Sequence, residues 1–281
     1  MNLRDGDVVK EMGPDGAYAS RWKIVKPLQV TRHRTSYIVH NDREELADHC
    51  ALLTVCRYDK RLMHKKAYVD NIRRRLLHEV EMLAVPHNVL PEPIDLFMAY
   101  NSEDSFTFEG SDSYRQTEPV LVTEQYHGTP VDNLIQEQGP LPEQRTLRIA
   151  KKLCELLDDL HKMHVLVVEF RPEDILVDTS DHDRVWVLGC ANYQKMAEGV
   201  VPLKDLVVSL SDFSFTAPEV EEGRSALDVR VDIYSLGALI LFMLTGKKAT
   251  ANEKNCQAIY SMPNISPETC RCLARCLSFS R

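Results

Sequence analysis

What the chain lacks narrows the field first. No basic start followed by an apolar stretch is present: the opening residues MNLRDGDVVKEMGPDG are polar, so no secretory leader is expected. No apolar run is long enough for a bilayer; the longest, Leu236–Leu244, has about half the necessary length. There is no excess of basic charge. Lys plus Arg is 34 against 42 Asp plus Glu, a net charge of −8, which disfavours general binding to a nucleic-acid backbone. The 8 cysteines are scattered without the regular spacing of a disulfide framework, so the chain reads as cytoplasmic with reduced thiols. No internal repeat, low-complexity tract or Gly-x-Ser-x-Gly elbow occurs, and a hydrolase has no support. Cys270, Cys272 and Cys276 are spaced C-x-C-x3-C with no nearby His, which is not a zinc pattern, and they are expected to pack as small apolar side chains. His161 and His164 read as structural residues at a helix end.

What is there is ordinary globular material. Hydrophobic residues make up 44% and charged residues 27% of 281, enough for one large domain or two packed lobes. Residues 1–21 read as a loose N-terminal extension rich in turn formers. Strands are expected at Trp22–Val30, with Trp22, Ile24, Leu28 and Val30 on one face, at Ser36–Val39 and at Cys50–Cys56. Asn41–Arg43 reads as a turn. Asn71–Leu83 has helical spacing, Ile94–Ala99 and Pro119–Thr123 read as strands, and the polar stretch Tyr100–Thr117 between them reads as a loop. After a linker near Gln125–Pro130 the pattern turns helical. Pro142–His164 is amphipathic, with Leu147, Ile149, Leu153, Leu156, Leu157 and Leu160 as its buried stripe. Ile175–Val177 and Val185–Leu188 are strand-like, Val231–Leu244 is apolar nearly all round, and Ser266 caps a last helix, Pro267–Leu277. The fold class is α+β, with a small β-rich lobe over 22–124 and a larger helical lobe over 125–281.

Ordered blocks in this chain resemble the protein-kinase family, closest to the bacterial-type Ser/Thr kinases, over about residues 22–280. Leu121-Val122-Thr123-Glu124 resembles the hinge strand, with Thr123 in the gatekeeper place. Gly139-Pro140-Leu141-Pro142 resembles the entry to the first long helix of the large lobe. Leu160-His161 followed by Pro172-Glu173-Asp174-Ile175-Leu176 matches the catalytic-loop block, Ala217-Pro218-Glu219 matches APE, and Asp232-Ile233-Tyr234-Ser235-Leu236-Gly237 matches DxxSLG. The resemblance implies a two-lobed kinase-like fold, with Glu219 and Asp232 in structural roles and with Pro172 and Gly237 shaping the large lobe.

The same alignment shows what has gone. Kinase chemistry is positioning and charge neutralisation of a metal–triphosphate. In Leu28–Tyr37 the three glycine places of the phosphate loop hold Gln29, Thr31 and Arg34. Cys50-Ala51-Leu52-Leu53 aligns with VAIK and puts Leu53 at the phosphate-binding Lys, where an aliphatic side chain binds no phosphate. Its partner acid survives as Glu79, which must point outward or find another cation, since a buried unpaired charge costs several kcal/mol. Lys26, Arg32 and Arg34 are read as solvated edge charges rather than as that cation. Glu169 stands at the catalytic-base Asp, Val168 at the preceding Arg, Asp174 at the metal-binding Asn, and Gly189 at the metal-binding DFG Asp. Asp174 is then the only metal candidate.

The resemblance therefore implies a pseudokinase: an interaction or allosteric module that binds a protein partner and has no catalytic residues in working order. No cofactor is expected and magnesium is disfavoured. ATP is left open, through a vestigial adenine slot at Ala51, Thr123, Glu124 and Tyr126. Two other readings stay open, an atypical Ser/Thr kinase using Glu169 and Asp174, and a metal-independent ATP sensor. No nucleic-acid or membrane contact is expected within the chain. The basic stretch from Lys60, Arg61, Lys65 and Lys66 through Arg73, Arg74 and Arg75 is read as a solvated face. The large lobe is expected to stop short after its last helix.

Overall fold

The computed structural model describes residues 3–12, 18–30, 34–41, 50–100, 117–190, 193–202, 213–221, 226–248, 262 and 264–278. The chain divides into two units. The first holds residues 1–86 and 91–126, the second residues 87–90 and 127–281.

Unit 1 is a closed antiparallel barrel. Strands β1 (Val8–Met12), β2 (Tyr18–Val30), β3 (Arg34–Asn41), β4 (Ala51–Cys56), β5 (Pro93–Tyr100) and β6 (Thr117–Glu124) run in the order β1-β2-β3-β4-β6-β5. β5 returns to β1 through the pairing of Ala99 with Glu11, so the sheet has no open edge. β1 was not anticipated, and residues 8–12 belong to the barrel rather than to a loose extension. Side chains alternate across each strand, and one face fills the barrel: Trp22, Ile24, Tyr37, Val39, Ala51, Leu53, Val55, Phe97, Val120 and Val122 are all buried there. Each such side chain contributes about 1.5–3 kcal/mol of transfer free energy. Register shifts in β2 after Ile24 and after Pro27 break the strict alternation, so Leu28 is 49% exposed instead of facing inward with Trp22 and Ile24.

Helix α1 (Lys66–Leu83) packs on the outer face of this barrel and starts five residues earlier than its apolar spacing suggests. The added turn carries Val69, fully buried against Tyr58, Met63 and Tyr68. Its first residues are basic and Lys65 offers no side-chain cap, so the usual start signals are missing.

Unit 2 begins with β7 (Thr129–Pro130) and a short helix, α2 (Val131–Gln138), whose buried Val131, Leu134 and Ile135 carry the i, i+3, i+4 pattern in too brief a run to stand out. Helix α3 (Glu143–Lys162) buries Ile149, Leu153, Leu156, Leu157 and Leu160 as expected. Leu147 does not join them: it is 42% exposed, and Thr146 takes the buried place. Short strands follow: β8 (Val165–Leu166), β9 (Ile175–Asp178), β10 (Arg184–Val187), β11 (Gln194–Lys195), β12 (Val201–Pro202) and, after helix α4 (Pro218–Glu221), β13 (Ala226–Leu227). Helix α5 (Arg230–Thr245) is buried nearly all round. Helix α6 (Pro267–Cys276) starts at Ser266, whose Oγ accepts from Thr269 N. Ser266 N and Oγ in turn donate to Glu143 at the start of α3, which fastens the two helix ends together. At Gly237 of α5 an added Cβ would stand 2.7 Å from Cys276 Cβ, so the glycine permits the close approach of α5 and α6. Cys270 is buried, Cys276 is half-buried and Cys272 is exposed, so only part of that cysteine group packs as expected. Among the described residues no helix is long and apolar enough to cross a membrane, and no group of three or more His, Cys, Asp or Glu is arranged to hold a metal.

Candidate functional site

In unit 1 the strand register decides which side chains face α1. Arg34 of β3 reaches Glu79 of α1 with Nη1 at 2.9 and 3.2 Å from the two carboxylate oxygens. Cys56 Sγ lies 4.0 Å from the Ile72 carbonyl of the same helix. Arg34 is paired with Cys56, and Ser36 with Thr54, whose hydroxyls lie 3.0 Å apart. The helix-facing row on these strands is therefore Arg34, Ser36, Thr54 and Cys56. Leu53 and Ala51 belong to the opposite face and are buried in the barrel. This corrects the sequence alignment by one residue: the strand position that looks toward Glu79 is Thr54, not Leu53. Neither residue carries a cation. Ala51 likewise turns away from the face of Thr123, whose cross-strand partner is Leu52.

The cation comes from the neighbouring strand. Glu79 is buried and finds its partner in Arg34, which is not the solvated edge charge its sequence position suggested. Lys26 is exposed, and Arg32 and Thr31 lie outside the described residues. At the end of β6 the Glu124 N–H donates to the Glu92 carbonyl at 2.9 Å, and the Glu124 carboxylate accepts from Glu92 N at 3.0 Å. Tyr126 is half-buried. The Thr123 hydroxyl is buried and has no hydrogen-bond partner among the described residues.

In unit 2 the loop after β8 hangs on α5. Asp232, fully buried, accepts from Val167 N at 3.0 Å, from Val168 N at 2.6 Å, and pairs with His161 Nε2 at 2.8 Å. Ser235 Oγ, one turn on, accepts from Phe170 N at 2.6 Å. Val168 has φ +70°, an unfavourable conformation for a β-branched residue, and these anchors hold it there. Asp232 thus ties the backbone of Val167 and Val168 and the ring of His161 to the start of α5. Glu219 sits half-buried on α4, where its charge is felt by Arg230.

Glu169 is buried and accepts from Thr216 Oγ1 at 3.1 Å. Burial pushes its carboxyl up to about 7, against a smaller opposing pull from Arg171. Asp174 is occupied differently. Arg171, two residues past Glu169, donates from Nε at 2.9 Å and from Nη2 at 2.5 Å to Asp174 Oδ2. That carboxylate lies against Gly189: a Cβ on Gly189, whose φ is +80°, would stand 2.7 Å from Asp174 Oδ2 and 3.0 Å from its Cγ. A side chain at 189 would require the Asp174 carboxylate to shift and would sit at a strained positive φ.

A hard dication such as magnesium takes near-octahedral oxygen ligands. The described residues supply Asp174, already bound to the Arg171 guanidinium, Glu169 and Glu173, whose carboxyls burial pushes up, and a glycine where a carboxylate would be needed. This donor set does not fit the metal. Arg171 is the functional-looking residue that the alignment passed over. Its signal was a basic side chain standing among the acids Glu169, Glu173 and Asp174.

The family model for the protein kinase domain matches residues 57–273. Among curated relatives, the chain is 28% identical over 170 residues to the mitosis inducer protein kinase cdr2 of Schizosaccharomyces pombe, covering 58% of this chain and 21% of that protein. It is 26% identical over 129 residues to the serine/threonine-protein kinase PknB of Mycobacterium leprae, covering 46% and 20%. It is 31% identical over 131 residues to the serine/threonine-protein kinase PknK of Mycobacterium bovis, covering 47% and 11%. The matches thus span about a fifth of these relatives' length or less. A family model that covers well over half of the chain makes this chain a member of the protein kinase domain family.

Proposed function

We propose that this chain is a pseudokinase domain, a kinase scaffold that works by binding another protein rather than by transferring phosphate. The observation that carries the reading is the Arg171–Asp174 ion pair packed against Gly189. An internal cation, which also lies 3.9 Å from Glu173, neutralises the acid that would have held metal. Phosphoryl transfer relies on metal and Lys to offset the charge of the triphosphate, and both are missing by residue type.

The Arg34–Glu79 pair favours a second reading, nucleotide binding without metal or turnover. It keeps a cation beside the acid of α1 although the strand Lys is gone. Thermal unfolding with ATP, with and without magnesium or manganese, separates these readings. A ligand at 100 times its dissociation constant stabilises by about 2.7 kcal/mol. No shift is expected for the scaffold, and a metal-independent shift for the sensor. A metal-dependent shift with phosphate transfer lost in Glu169→Ala would overturn both.

A further inference from the structure

The charge of this chain is unevenly placed. Residues 57–76 hold eight Lys and Arg against two acids, while the other 261 residues hold 26 against 40. Some of that positive charge is structural. Arg73 is buried, with Nη1 3.4 Å from Glu118 and Nη2 donating to the Thr117 carbonyl at 2.8 Å. Lys60, Arg61, Lys65, Lys66 and Arg74 are different: all are exposed, and none forms an ion pair with another described residue.

The segment that carries them is built, not loose. Tyr58 Oη donates to Glu118 at 2.6 Å, and Asp59 N donates to Tyr68 Oη at 2.9 Å. Successive turns run from Asp59 to Leu62 and from Leu62 to Lys65. Tyr58, Met63 and Tyr68 close over fully buried Val69. The fold therefore anchors a turn from which like charges project together, a self-repelling arrangement that gains from an external counter-charge. Preorganisation lowers the entropy lost when a ligand docks.

We propose that this turn, with the exposed first turns of α1, docks a short Asp/Glu-rich segment of a partner protein. Size selects this occupant over larger polyanions. A peptide of a few residues needs only the local positive charge, whereas a membrane or duplex is a polyanion that the chain's net charge of −8 disfavours as a whole.

The test uses the full chain and a fluorescein-labelled peptide of alternating Glu and Ser, read by fluorescence anisotropy at 50 and 300 mM NaCl. Salt-sensitive binding is expected, weakened at least about tenfold in the K60E/R61E/K65E variant with an unchanged circular-dichroism melt. K60Q/K65Q, which keeps Arg61, gives an intermediate loss and serves if the triple variant unfolds. No salt-sensitive binding, binding indifferent to both variants, or tighter binding to phosphatidylserine vesicles or single-stranded DNA overturns the proposal. Patch-dependent self-association of the chain, seen by sedimentation, also overturns it.

Discussion

Placing a lysine on β4 tests the strand register directly. At position 53 the ammonium would enter the barrel among Tyr37, Val55, Phe97 and Val122. The change loses the burial of a leucine, about 2 kcal/mol. It also forces the amine to be neutral at pH 7, more than three units below its ordinary pKa, which costs about 4–5 kcal/mol. The total, about 6–7 kcal/mol, is comparable with the whole stability of a typical domain. At position 54 the outcome differs. Thr54→Lys gives up one hydroxyl pair with Ser36, about 1 kcal/mol, and projects the amine from the face that α1 covers, where Glu79 carries the negative charge. Urea denaturation at pH 7 should find Leu53→Lys unfolded or nearly so and Thr54→Lys within about 2 kcal/mol of the parent. The sign with pH is a second check. In Leu53→Lys the folded-state pKa of the introduced amine would be depressed, so the penalty applies below the ordinary lysine pKa and disappears as pH rises above about 10. A stable Leu53→Lys beside an unfolded Thr54→Lys would refute the register and the reassignment that follows from it.

Three further outcomes follow from unit 2. Gly189→Asp, which restores the family's metal ligand by sequence, should lower stability by about 1–3 kcal/mol. Its Cβ meets Asp174 at a positive φ, and no magnesium-dependent rise in melting temperature should appear; such a rise would contradict the packing. Glu169 binds its proton more tightly when folded, up to about 7, so the folded state holds more protons than the unfolded one between about pH 4.5 and 7. Stability should then fall by about 3 kcal/mol as pH rises through that window, and Glu169→Gln should flatten the dependence and exceed the parent at pH 8 in urea midpoints. Gly237→Ala should destabilise by about 1–3 kcal/mol through its contact with Cys276 Cβ, despite alanine's better helix propensity. Cys276→Ala should not rescue it, because the offending atom is Cβ; a melting temperature equal to the parent's would refute the contact.

What could be seen in the sequence was local. The stripe of α3, the all-round apolar α5 and the Ser266 cap are written in neighbouring residues, and Asp232 was recognisable from its own block. What escaped depends on distant residues. β1 is a strand because it closes a barrel against β2 and, through Ala99, against β5. The inward turn of Leu53 depends on pairing with Tyr37 and Val122, while apolar residues on both faces of β4 leave its own sequence ambiguous. Leu28 faces out because of bulges that composition does not announce.

The two ion pairs show the same limit and give it chemical meaning. Glu79 and Arg34 are 45 residues apart, and no spacing rule joins them. Arg171 and Asp174 are three apart, yet their contact matters only because Gly189 leaves room for the carboxylate. In each unit an acid that the family's chemistry would place beside a strand lysine or a metal is satisfied by an arginine of the chain itself. An internal cation is held at high effective concentration, so each acid has a partner without ligand. Removing either arginine should therefore destabilise its own unit more than removing an exposed one, because it strands a partly buried charge.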